Sequence, residues 1–136
     1  MQTKEFIIRG VKYTFLRYRN VWVFPVFDTY ESGLGSPVAM SLYSIDQEEE
    51  EISVELYTGV TTNIPECKRS AGCQFIDTNN NSADIVDWLE EHKLGVRTGN
   101  TGQSGFCTYP EFDFYKGEKF WEYRNLPEEM INNLIY

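Results

Sequence analysis

Cys107, His92 and Asp77 are the residues of this chain whose types match a nucleophile, a base and an orienting acid. A catalytic thiol needs an imidazole within hydrogen-bond reach and a third group that holds the imidazole. His92 is the one histidine in the 136 residues, so any imidazole base must be this one. It falls in the last turn of the helical pattern "ADIVDWLEEHK", where a cation is electrostatically favoured and a plain boundary residue is the simpler expectation. A small enzyme using Cys107/His92/Asp77 is therefore carried as an alternative. The expectation is that the protein is not an enzyme, and no catalytic residue is assigned.

Other constellations fail on spacing. Cys67, Cys73, His92 and Cys107 have the count of a Cys3His zinc set, but five residues separate the first two and no C-x2–4-C knuckle occurs. "DTNNNSADIVDWLEE" begins like a calcium loop and carries Ser82 where the sixth position needs glycine. "GNTGQSGF", residues 99–106, offers a string of backbone N–H groups for an anion, without the lysine or the following helix of a phosphate loop. No metal ligand, cofactor-binding residue or cofactor is assigned.

Charge narrows the partners. The formal net charge is -9. Residues 1–25 carry five Lys or Arg against Glu5, residues 26–66 carry nine acids and no Lys or Arg, and residues 67–136 carry seven bases and eleven acids. Such a balance repels nucleic acid except at a confined patch, here Arg9, Lys12, Arg17 and Arg19 beside Tyr13, Phe15 and Tyr18, so direct binding is not expected. The three cysteines, an odd number, fit a reducing compartment. The opening "MQTKEFIIRGVKY" lacks the apolar core of a signal peptide, and no apolar run reaches membrane-spanning length. A cytoplasmic location is expected.

The elements that must position these residues follow from periodicity. "KEFIIRG" and "KYTFLRYR" read as a hairpin, and "NVWVFPVFDTYESG" continues extended. Pro25, without an N–H, belongs on an edge strand or bulge. "PVAMSLYSI" and "ISVELYTGV" are strands joined by the charged turn "DQEEEE", and "YESGLGSP" is a turn-rich break. "TTNIPECKRSAG" reads as irregular chain and "CQFID" as a short strand. Residues 83–93 form the clearest helix, with Asn81 as cap, Asp84 at its third position, an apolar stripe of Ile85, Val86 and Leu89, and Gly95 as terminator. The glycine-rich stretch 95–105 reads as a loop that Phe106, Tyr109 and Pro110 anchor to the core. "EKFWEYRN" reads as a last strand, and Asn125 caps a terminal helix burying Met130, Ile131, Leu134 and Ile135. The sum is a single α+β domain over residues 1–136. It has one antiparallel, strongly twisted sheet of about five or six strands, with a central and a C-terminal helix packed on it.

"TTNIPE", "FIDTNNNSADIVDWLEEHKLG" and "TGNTGQSGFCTYPEFDF" stand in that order between residues 61 and 115. In this the chain resembles a family of small uncharacterised bacterial domains of Firmicutes and Bacteroidetes, often borne on plasmids, phages or conjugative elements. The resemblance implies no activity and no residue roles; it implies an accessory protein of a mobile element. Together with the composition, it leads to the expectation of a small acidic protein-binding or regulatory protein that acts by contact. Its recognition element is the acidic surface or the glycine-rich stretch, and its partner is another protein, with a basic surface. The chain itself is expected as a monomer or weak homodimer. A second alternative is an acidic DNA mimic inhibiting a host defence or nucleic-acid-binding protein. Its candidate acids are Glu48 to Glu51, Glu55, Glu66, Asp84, Asp87, Glu90 and Glu91.

Overall fold

The alternating runs at the start of the chain pair in the order they are written. In the computed structural model, which describes residues 2–33, 35, 37–48 and 51–136, a five-stranded antiparallel meander is built from β1 (Thr3–Ile8), β2 (Val11–Tyr18), β3 (Val21–Thr29), β4 (Val38–Glu48) and β5 (Glu51–Gly59). The charged turn is shorter than expected: Asp46 to Glu48 and Glu51 belong to the ladder, with Glu48 opposite Glu51. The remaining turn residues, Glu49 and Glu50, lie outside the described residues.

Pro25 does not sit on an edge strand. It stands in β3, the middle strand, opposite Leu42 of β4. What makes it tolerable is the other side: β2 pairs with β3 only from Leu16↔Val23 to Tyr18↔Val21. Beyond Val23 the two strands part, so the missing N–H interrupts no ladder towards β2. The sheet curls there.

A second antiparallel sheet has the order β6-β7-β9-β8, formed by β6 (Thr61–Thr62), β7 (Cys73–Ile76), β8 (Val96–Ser104) and β9 (Cys107–Asp113). This sheet corrects the reading of residues 95–105 as a loop. Its residues lack strand propensity, but the partner strand and a two-residue turn impose the conformation.

Three helices complete the α+β fold: α1 (Asp84–Glu91), α2 (Glu118–Arg124) and α3 (Glu128–Ile135). "EKFWEYRN" is thus a helix rather than a strand. Phe120 and Tyr123, three apart, share its inner face. Asn125 closes α2 instead of capping α3, whose cap position is Pro127. The terminal helix buries Leu134, with Met130 and Ile131 packed beside it as expected. α1 ends by a Schellman pair, Lys93 N–H to Glu90 O and Leu94 N–H to Leu89 O, each 3.0 Å. Lys93, at φ 58°, takes the left-handed position expected of Gly95.

Two apolar clusters hold these parts. One joins Leu16, Val23 and Leu42 of the meander to Ile76 and Phe112 of the second sheet and to Ile85, Trp88 and Leu89 of α1. The other, on the opposite face of the meander, unites Phe6, Tyr13, Phe15 and Phe24 with Leu134 of α3. Each fully buried side chain of this size contributes about 1.5–3 kcal/mol. Among the described residues, no helix is long and apolar enough to cross a membrane.

Candidate functional site

The corner after β7 is built by its asparagines. The Asp77 carboxylate accepts the Asn80 backbone N–H at 3.1 Å and the Asn80 side-chain amide at 2.8 Å. Asn81 turns inward: its amide donates to Gly59 O at 2.9 Å and Asp77 O at 3.0 Å, and its Oδ1 accepts from Thr58 Oγ1 at 2.8 Å. It therefore ties the end of β5 to the end of β7 and does not cap α1, which has no side-chain cap. The helix start is held differently. Arg19, from the β2–β3 turn, reaches Ser82 Oγ at 2.6 Å and Asp84 Oδ1 at 3.2 Å.

Asp77 and Cys107 approach the same residue. Tyr109 is hydrogen-bonded to the Cys107 side chain, which pushes its phenol pKa up, and the charge of Asp77 acts in the same direction. His92 is elsewhere. It stacks on Trp88 at 4.5 Å and lines a cavity whose walls include neither Asp77 nor Cys107. The grouping needed for a thiol nucleophile is not assembled.

The four residues with the count of a zinc set are not gathered either. Cys73 lies buried in β7, where burial first and then the charges of Asp113 and Glu111 push its thiol up to about 11. The Cys67 thiol meets Gln103 O at 3.6 Å. Among the described residues, no group of three or more His, Cys, Asp or Glu is arranged for a metal.

His92 is only 6 % exposed, and burial holds its pKa below the usual 6.5. The unfolded chain therefore takes up the proton first as the pH falls. The contribution of this group to stability is complete above about pH 6.5 and is lost below it, down to the folded-state pKa. Urea unfolding followed from about pH 8 to about pH 5 is expected to show this fall below pH 6.5, and His92→Gln should lessen it.

The β8–β9 hairpin is the feature that sequence reading missed. Its turn is Gly105-Phe106, with glycine at φ +60° in the first position as in a II′ turn. Residues 96–101 and 103–104 of β8 are exposed. The exception, Gly102, faces Phe75; an added Cβ would stand 2.5 Å from that ring, which locks the hairpin onto β7. Residues 98–100 bulge around Glu111, 3 % exposed, whose carboxylate accepts from Thr98 Oγ1 at 2.8 Å and from Asn100 Nδ2 at 3.4 Å. Glu111→Ala removes these charge-assisted bonds and is expected to cost about 1–3 kcal/mol in urea unfolding.

On this braced hairpin Phe106 is fully exposed, at 107 %. The expectation that it anchors the segment to the core is thereby corrected: Gly102 and Glu111 do that work, and the phenyl ring points into solvent. Cys107 and Tyr109 follow Phe106 along β9, and Asn81 joins the Asp77 corner to Thr58 at the end of β5.

The acids, in contrast, are partly neutralised. Arg97 bridges Asp87 and Glu90, which lowers the Glu90 pKa through their hydrogen bonds, and Arg19 meets Asp84.

A family model for a domain of unknown function, DUF4313, matches residues 28–134, from the end of β3 to the end of α3. The chain belongs to this family. The match is wider than the stretch of residues 61–115 that carries the sequence resemblance, and it contains the corner, α1 and the β8–β9 hairpin. No curated protein and no solved structure matches the chain.

Proposed function

We propose that this DUF4313 chain is a small protein-binding domain that acts by contact, with Phe106 as its anchor. The observation that carries the reading is the placement of a wholly exposed phenyl ring on a hairpin held rigid by Gly102 and Glu111. Folding gains nothing from Phe106. Binding would gain a large apolar group at little cost in ordering, because the hairpin is already fixed. Interfaces concentrate their energy in such aromatic anchors, surrounded by polar groups that exclude water.

The partner is a protein offering an apolar pocket with a basic rim, which suits the net charge of -9. The setting suggested by the sequence resemblance, an accessory protein of a mobile element, is part of this reading. The DNA-mimic alternative draws less support, since Asp84, Asp87 and Glu90 are paired with arginines. Capture from a lysate of the native host tests the proposal when Phe106→Asp is run beside the unaltered chain. The variant should keep its stability and lose the partner. Retention of the partner by Phe106→Asp would refute the reading.

A further inference from the structure

We draw no further inference here: the strongest candidate, the open edge of β5 where Glu51 and Glu55 stand exposed beside Leu56, is an acidic strand edge of the kind that guards against strand addition, and nothing in the structure shows what would cover it.

Discussion

Gly117→Ala is expected to destabilise the protein by about 2–3 kcal/mol, although only one methyl group is added. The backbone of Gly117, at φ -90° and ψ 123°, is open to any residue, so conformational freedom is not the reason. Space is. A Cβ at this position would stand 2.3 Å from the carbonyl carbon of Leu94 and 2.5 Å from Gly95 N and Leu94 O. All three are backbone atoms and cannot swing aside. Nor can the strand of chain that carries them shift cheaply. Leu94 is fixed to Leu89 by the Schellman bond, and Lys93 O accepts the Lys119 N–H at 3.0 Å, so the end of α1 and the start of α2 are clamped at this crossing. Urea unfolding of the variant checks the point: an unchanged midpoint would mean that the two backbones are not in contact.

Phe120→Ala should cost more, about 3–5 kcal/mol. The ring is fully buried and meets Phe27 at 4.9 Å, Trp121 at 5.0 Å, and Phe114 and Tyr115 at 5.8 Å each. Truncation leaves a cavity among aromatic rings too large to collapse into it. Trp121→Ala, one residue on, is the informative comparison. Trp121 is 41 % exposed and donates from Nε1 to Tyr115 O at 3.0 Å, so its loss should be felt at well under half the effect of Phe120. Similar losses in the two variants would contradict the helical placement, which turns Phe120 inward and leaves Trp121 at the surface.

That pair of residues also explains why this segment misleads a reader of the sequence. In "EKFWEYRN" the aromatics fit a strand and a short helix equally well, and eight residues are too few for either period to declare itself. Where the pattern was longer, it was legible. The alternation in the first five strands and the Ile85, Val86, Leu89 stripe of α1 carry their own structure, because burial on one face demands that spacing. The β8 strand carries almost none. Its conformation comes from β9 and from the Gly105-Phe106 turn, and the one local signal is a Gly-X pair, which marks a hairpin only where both flanking runs carry strand patterns.

The candidate surface was half visible for the same reason. The Asp77-Thr78-Asn79-Asn80 corner could be read as a turn from residue type alone. The bonds from Asn81 to Gly59 and Thr58 join positions more than twenty residues apart, and nothing local announces them. An apolar residue after a glycine-rich stretch, such as Phe106, suggests an anchor. At the second position of a two-residue turn there is no core to reach. The parting of β2 from β3, which both admits Pro25 and opens the cavity beside His92, depends on how the sheet curls and so lies beyond any single segment.

The central claim is that the chain works by protein contact through the Phe106 surface. Its most direct measurement is capture from native host lysate with the unaltered chain, Phe106→Asp and Glu55→Lys side by side, at low and raised salt. The account predicts one specific partner held by the unaltered chain at both salt concentrations, lost by Phe106→Asp and at most weakened by Glu55→Lys, with all three proteins equally stable. Capture that persists in Phe106→Asp, or that vanishes with salt and with Glu55→Lys alone, would contradict it.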